Sequence, residues 1–431
     1  MRKTAFQSCL LLACIACTLT LEASAASVAP VSFAAATAYP VAAGAGAIAI
    51  GDLNGDGAPD LATADYTAAT VSVLLNRRGG TFEAKRDYAT GFSPHSVALG
   101  DLNGDGKPDL VTANLWEDSV SVLVNMGDGT FDPRHDYDTA SGPFDVAIGD
   151  LDGDGRPDLA VADDDAGVVS VFRNRGDGSF EPKRDYETAS GPDSVAIRDL
   201  NGDGKRDLVT ANGAAGSVSL LVNRGDGSFA HERDYDLLSN GFPSLAVGDL
   251  NADGRADLAV ANGDDGLGVS LARGDGTFRP ARVYGGSAYS VAITDLNGDG
   301  KPDLATETGF RLNRGDGGFQ PAVRLSSGYA TAAAAADLTG DGRPDLAAVG
   351  DDRVFVLVNT PGLCNVQGVV DLTLAAARQS LARGHCTAGT IRRAYSAYVK
   401  KGRVISQKPA FGAVLPQGSK VNLVVSKGKR K

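Results

Sequence analysis

Histidine, tryptophan and methionine are scarce: the 431 residues hold four, one and two of them. The histidines His95, His135, His231 and His385 are scattered, and His231-Glu232 has no second histidine four residues on. The zinc-protease helix signature is thereby excluded, and no Gly-x-Ser-x-Gly nucleophile elbow occurs. The chain reads as a non-enzyme. After residue 25, no stretch approaches the ~20 apolar residues of a membrane-spanning helix. Positive charge is also short, with 41 Lys and Arg against 53 Asp and Glu, a formal net charge of -12. That balance argues against nucleic acid as a partner of the whole chain.

Cysteine is sparse and unevenly placed. Residues 1–25 open with Arg2 and Lys3, run through apolar Ala5 to Leu21 and end in Ala23-Ser24-Ala25, the pattern of a secretory signal peptide. Leu11-Leu12-Ala13-Cys14 is an imperfect lipoprotein box, but apolar sequence continues beyond it, which favours cleavage after Ala25. Cys9, Cys14 and Cys17 leave with the signal. Cys364 and Cys386 remain in an oxidising compartment, where they are expected to pair. The expected location is extracellular, with no membrane span.

What is abundant is glycine, 55 residues, and it marks turns in a repeat. Asp52-Leu53-Asn54-Gly55-Asp56-Gly57-Ala58-Pro59-Asp60 recurs with small changes from Asp101, Asp150, Asp199, Asp249, Asp295 and Asp337. Each copy follows a β-rich run such as Ser96-Val97-Ala98-Leu99. It precedes Leu110-Val111-Thr112-Ala113, then Ser119-Val120-Ser121-Val122-Leu123-Val124, then a Gly-Asp-Gly turn and Phe131. Alternating branched residues between Gly, Asn and Asp turns signal four short antiparallel strands per unit, named A to D from the one before the Asp loop. Seven such units at a spacing of 42 to 50 residues predict a mainly β fold, a seven-bladed β-propeller over residues 31–360. Phe33 lies 19 residues before Asp52, as Phe82 does before Asp101, so Phe33 begins an orphan D strand. The last unit lacks a D strand, and residues 33–40 are expected to supply it and close the ring. In these residues the repeat resembles the FG-GAP or VCBS family, the unit that also builds the propeller of integrin α chains.

The loops have the pattern of a calcium site. Asp, Asn or Asp, Asp and Gly at positions 1, 3, 5 and 6, with Asp at position 9, bring oxygen ligands around a sharp turn. In the first loop Asp52, Asn54, Asp56 and Asp60 offer side chains and Ala58 its carbonyl. The corresponding sets are Asp101, Asn103, Asp105, Lys107 and Asp109; Asp150, Asp152, Asp154, Arg156 and Asp158; and Asp199, Asn201, Asp203, Lys205 and Asp207. The remaining three are Asp249, Asn251, Asp253, Arg255 and Asp257; Asp295, Asn297, Asp299, Lys301 and Asp303; and Asp337, Thr339, Asp341, Arg343 and Asp345. Position 12 is never the bidentate Glu of an EF-hand, and Thr339 makes the last site the weakest expected. Up to seven structural Ca²⁺ ions are expected to offset the -25 carried by residues 26–360.

Four Arg-Gly-Asp triplets, at Arg175, Arg224, Arg273 and Arg314, lie in C to D turns whose Gly-Asp-Gly already serves the turn, so integrin adhesion is not inferred from them. The B to C and D to A connections share the face opposite the calcium loops. There fall Tyr66, Phe92, His95, Trp116, Phe144 and the run Asp163-Asp164-Asp165, a candidate surface for glycan or protein, with blade-to-blade packing as the competing reading. The competing function is an exported polysaccharide-active enzyme, a lyase or hydrolase built on the propeller.

Residues 361–431 invert the composition, with thirteen basic residues and one acidic, Asp371. Thr373 can cap a helix with Leu374, Ala377 and Leu381 on one face and Gly384 at its end, followed by strands over 402–407 and 420–426. A small α+β domain is predicted. Leu372-Thr373-Leu374, Gly402-Arg403-Val404-Ile405-Ser406-Gln407-Lys408-Pro409 and Gly418 to Ser426 make it resemble a PASTA domain, departing at Gln367 and Asp371. The resemblance implies association with bacterial cell walls and peptidoglycan; a rigid or electrostatic module is the open alternative. Expected partners are peptidoglycan, anionic wall polymers, glycans or another surface protein.

Overall fold

The computed structural model describes residues 31–236, 243–325, 330–350, 352–361, 363–365, 368–383, 386–416 and 419–430. The expected signal peptide and its three cysteines lie outside them. Seven four-stranded antiparallel sheets follow one another, the seven blades of a propeller. β1 (Val31–Phe33) and β2 (Thr37–Pro40) precede the first blade, which comprises β3 (Ala45–Gly51), β4 (Asp60–Asp65), β5 (Thr70–Leu74) and β6 (Arg86–Ala89) as its strands A to D. Strand A of each blade packs on strand A of the next, and Ala332–Ala336 of the seventh packs on β3 of the first. The A strands therefore surround the axis. Gly100, at the end of strand A in the second blade, shows how close they come: a Cβ there would lie 2.8 Å from Ile148 of the third blade.

The predicted closure is present. β2 pairs antiparallel with Arg353–Leu357, from Thr37 opposite Val356 to Pro40 opposite Arg353, and so supplies strand D of the seventh blade. β1 pairs separately with Asn359–Pro361, placing Phe33 opposite Asn359 as Phe82 is bridged to Asn76 in the first blade.

Two repeated devices join the blades. In the first, Tyr39, Tyr88, Tyr137, Tyr186 and Tyr235 on D strands each stack edge-on against a phenylalanine of the next blade, 5.2–5.6 Å between centroids. Their hydroxyls donate to a turn carbonyl of that blade, from Gly80 to Gly276, at 3.1–3.5 Å. In the second, an asparagine after strand C donates its amide to the position 2 carbonyl of the preceding blade's Asp loop. Asn125 reaches Leu53, Asn174 reaches Leu102, and Asn76 reaches back to Leu338 of the seventh blade at 2.9 Å. The ring is thus closed by the same bond that joins its other members, the fifth blade excepted, where Ala272 replaces the asparagine. Apolar clusters fill the spaces between adjacent blades, for example Leu53, Val73, Val97 and Leu110.

A third repeated network sits inside the blades. In the second, Thr112 Oγ1 donates to Asn114 Oδ1, Asn114 Nδ2 donates to Ser121 Oγ at 2.9 Å, and Ser121 donates to Asp136 at 2.7 Å. The fourth repeats it with Thr210, Asn212, Ser219 and Asp234. The first substitutes Asp65 for the asparagine: Ser72 Oγ lies 2.7 Å from Asp65 Oδ2 and 2.8 Å from Asp87 Oδ1. One hydroxyl hydrogen cannot serve two carboxylates, so the pair favours a proton on one of them as pH falls, and buried Asp65 is the one whose charged form burial disfavours more. In the third blade Val161 replaces the threonine and Ser170 donates to Asp185, leaving both oxygens of fully buried Asp163 without a partner among the described residues. Burial is the main cause that raises Asp65 to about 6 and Asp163 to about 7, opposed by the hydroxyls of Ser72, Thr63 and Thr70 at Asp65 and by the nearby Ser170 and Lys183 at Asp163, with Asp87 and Asp185 adding smaller repulsions. Asp163 is therefore not on the surface with Asp164 and Asp165, which corrects the expected exposed acidic run.

The C-terminal unit has one helix, Leu374–Arg383, and a three-stranded sheet in which Thr387–Ala394 runs parallel, and Val404–Lys408 antiparallel, to the central Lys420–Ser426. Thr373 Oγ1 accepts from Ala376 N at 3.3 Å, a capping bond, and Ala377 and Leu381 are buried against Val404, Val421 and Val425. Cys386 is buried in this core. Cys364 lies in Leu363–Asn365, and its side chain, like Gln367 and Gly384, lies outside the described residues.

Two outcomes are expected. Removing residues 31–40 exposes the edge of Arg353–Leu357 and the apolar face that β2 covers; size-exclusion chromatography should show aggregates, and a stable monomer would contradict this closure. Asp65→Asn and Asp163→Asn should each raise the melting temperature by a few degrees at pH 8 and little at pH 4. The native state binds these protons more tightly than the unfolded chain does, so wild-type stability is fully present below about pH 4 and falls as pH rises through about 6 to 7. Equal gains at both pH values would refute the protonated state.

Candidate functional site

Antiparallel order places the A to B loops and C to D turns at one end of the ring and the B to C and D to A connections at the other. The first end carries the predicted metal ligands. Asp52 Oδ1 accepts from the amides of Gly55 and Asp56 at 2.8 and 3.1 Å, and its Oδ2 from Gly57 at 2.8 Å. Asn54 Oδ1 accepts from Asp56 N, and Asp56 Oδ1 from Ala58 N. Gly55 and Gly57 have φ of 73° and 83°, which is why glycine is needed there. Closely related nets hold the other loops.

Position 9 has a second role. In all seven loops its buried carboxylate accepts the position 2 amide at 2.8–3.0 Å. Its other oxygen accepts the amide that follows strand C, from Asn76 to Asn359, at 2.6–2.9 Å. Burial raises all of these groups, Asp60, Asp158 and Asp303 to about 6. A cation beside them would favour the charged form. In the third loop, oxygens of Asp150, Asp152 and Asp158 lie within 4.8 Å of one another, a hard-oxygen set that fits a divalent cation. The position 7 side chain takes an outer oxygen of position 5: Arg156 lies 2.7 Å from Asp154, and Lys107 3.3 Å from Asp105. In the last loop Thr339, standing where the others have Asn or Asp, donates its hydroxyl to Asp337 at 3.3 Å. The Arg-Gly-Asp aspartates are engaged locally, Asp177 accepting both the amide and hydroxyl of Ser179.

The opposite end holds a cavity of about 350 Å³ on the propeller axis. Its lining includes the residue six places before the first Asp of every loop: Gly46, His95, Phe144, Asp193, Pro243, Tyr289 and Thr331. In the first four blades this is the extra residue of a β-bulge in strand A, where the register shifts between Ala45 and Ala47, Pro94 and Ser96, Pro143 and Asp145, and Pro192 and Ser194. A bulge re-aims the side chain it inserts. Seven different residues thus face the axis from equivalent places in a chain that elsewhere repeats itself.

Of the residues expected on this face, Tyr66, His95 and Phe144 line the cavity, His95 lying 5.9 Å from Tyr66 and 4.6 Å from Phe144 between ring centroids. Burial pushes His95 below the usual histidine range, keeping it neutral. Phe92 and Trp116 are 62% and 79% exposed and joined by the Trp116 amide to the Phe92 carbonyl at 3.4 Å, so blade packing does not account for them. Asp193, Tyr289 and Asp145 were not among the predicted site residues. The signal that marks Asp193 and Tyr289 is their column in the repeat, which changes from blade to blade beside columns that do not. Asp145 instead joins three blades: its oxygens accept Ser96 Oγ at 2.6 Å, Ser194 Oγ at 3.0 Å and the amides of Val146 and Val195.

Comparison with known proteins agrees with this architecture. Five overlapping matches to the FG-GAP-like repeat fall at residues 52–112, 101–161, 150–210, 199–260 and 249–306, and a PASTA domain matches 365–427. Among solved structures, the BP39L lectin from Burkholderia pseudomallei is similar at a TM-score of 0.57 and 15% identity, over 75% of this chain and 99% of that one. BBS1N, solved in complex with ARL6DN, is similar at 0.54 and 13%, over 76% and 97%. At these identities the likeness is one of fold. With repeat matches spanning more than half its length, the chain belongs to the FG-GAP-like repeat family and carries a PASTA domain.

Proposed function

We propose that this protein is an exported, calcium-stabilised binding module whose aromatic face takes a glycan and whose basic PASTA domain associates with the cell wall. The observation that carries the reading is the face itself: the Phe92 and Trp116 pair stands exposed beside an axial cavity ringed by non-repeating residues. Exposed aromatic rings offer flat apolar surface to the faces of sugar rings. The lectin among the structural neighbours agrees with this use of the fold. The oxygen sets of the opposite end, with Asp150, Asp152 and Asp158 the most closely gathered, suit calcium, which when bound would neutralise carboxylates that otherwise repel. The PASTA domain carries Lys and Arg on a small sheet, and polyanionic wall polymers are the complement of that charge. The pairing of Cys364 with Cys386 belongs to the same reading, since an exported domain of this size gains from a staple.

Chelation should lower the melting temperature by several degrees, because a ligand present at 100 times its Kd adds about 2.7 kcal/mol per site to the native state. Calcium should restore it, and Asp150→Asn should weaken the response. A melt unchanged by EDTA, in protein shown by metal analysis to contain no calcium, would reject the calcium role. On a glycan array Trp116→Ala should abolish most binding while leaving the melt unchanged; equal binding by wild type and variant would remove the face from the function. Sedimentation with purified cell walls should fall as salt rises from 0.1 to 1 M, over which the screening length drops from ~10 to ~3 Å. No pelleting of the intact protein at any salt would reject wall association.

A further inference from the structure

The axial cavity has a charge character distinct from the flat aromatic patch beside it. Among its described lining residues there is no lysine or arginine, and its one histidine is held neutral by burial. Asp145 and Asp193 are the carboxylates among those lining residues. Asp145 is engaged by the hydroxyls of Ser96 and Ser194, and Glu307, which is not in the lining, accepts the amides of Tyr289 and Ser290 at 3.1 Å each. Asp193 differs from both. It is the bulged residue of its strand, only 5% exposed, and one oxygen accepts Gly213 N at 2.8 Å. The other oxygen has no hydrogen-bond partner among the described residues, and the side chain lines the cavity. A carboxylate oxygen placed there is a vacant acceptor in a site of low polarity, where a counter-ion interacts far more strongly than in water.

The remaining walls suit the same kind of guest. Tyr66, Phe144 and Tyr289 present aromatic surface, which attracts cations electrostatically and covers alkyl chain hydrophobically. The volume is too small for a protein segment and comparable to a side chain with its immediate backbone.

We infer that the axial cavity binds a primary alkylammonium group of the lysine type, with Asp193 as its counter-ion and Tyr66, Phe144 and Tyr289 around its stem. This binding is separate from the glycan contact at Phe92 and Trp116. Burial and the neighbouring Asp164 raise Asp193 to about 7. The guest keeps its charge well above that pH, a lysine amine titrating near ~10.4. Binding therefore requires the ionised fraction of Asp193, and affinity rises with pH until that fraction is complete. Asp164 is the charged group acting on it, and among the described lining residues the other titratable groups are Asp145, Tyr66, Tyr289 and His95, the last the only basic one there.

Calorimetric titration of the full chain with Nα-acetyl-lysinamide, cadaverine and Nα,Nε-diacetyl-lysinamide tests this. The two amines should bind and the diacetylated compound should not. Tighter binding of the lysinamide identifies a peptide-borne side chain as the guest, tighter binding of cadaverine a free diamine. Asp193→Asn keeps an acceptor for Gly213 N and should weaken amine binding at least tenfold without altering glycan-array binding. Wild-type affinity should increase about thirtyfold from pH 5.5 to 8.5, following the ionised fraction. This second measurement stands if the variant fails to fold. Equal binding of the diacetylated compound, a pH-independent affinity, or no heat with any amine in protein of normal melt would overturn the inference, whatever the glycan array shows.

Discussion

The buried aspartate at position 9 of each loop is the bond on which the rest of the propeller depends. Its carboxylate is shared between two backbone amides, one opening the loop and one following strand C, so each blade has its A to B loop tied to its own C to D turn. The asparagine that begins this turn then reaches the preceding blade. A buried donor left without its acceptor costs about 1–3 kcal/mol. Loss of one such aspartate would free two amides within a blade and loosen the neighbour as well. The loops are therefore part of the framework before any cation is considered, and a cation would act on carboxylates that backbone amides have already oriented.

Repetition supplies the ring, and departures from repetition supply what the ring can recognise. The hydrogen-bonded columns hold the same residue type in nearly every blade because each performs the same bond in blade after blade. Ala272, where other blades have asparagine, still offers its amide to Asp257 but has no side chain with which to reach the preceding blade. The bulge column is freed from this duty because its residue lies outside the ladder. It can hold glycine, histidine, phenylalanine, aspartate, proline, tyrosine and threonine without changing the fold. A similar freedom allows Asp65 and Asp163 in place of asparagine, at the expense of burying a carboxylate where an amide would have donated freely.

The two ends of the ring also differ in how they handle charge. At the loop end, acidic side chains lie beside basic ones from position 7 and accept several amides each. At the axial end, half-buried Asp145 and buried Asp193 lie near aromatic rings with no lysine or arginine among the described lining residues. The first arrangement organises backbone, and the second leaves one carboxylate oxygen of Asp193 open to the cavity. The net charge of -12 conceals this division, as it conceals the basic C-terminal domain.

The number of blades, the loops between strands A and B, the strand borrowed from the start of the chain and the helix of the C-terminal domain were all legible in sequence. Each rests on local pattern: alternation, spacing of Asp and Gly, and a Phe recurring 19 residues before a loop. The face bearing Tyr66, Phe92, His95, Trp116 and Phe144 was legible too, because antiparallel connectivity fixes which turns share an end. Only the tertiary structure decided that Asp163 is buried, that Asp193 opens onto the axis and that Asp145 is saturated by three blades. Those three aspartates look alike along the chain. What separates them is a bulge, a missing threonine and a neighbour 49 residues away, and these set the dielectric and the donors around each carboxylate, which no local window contains.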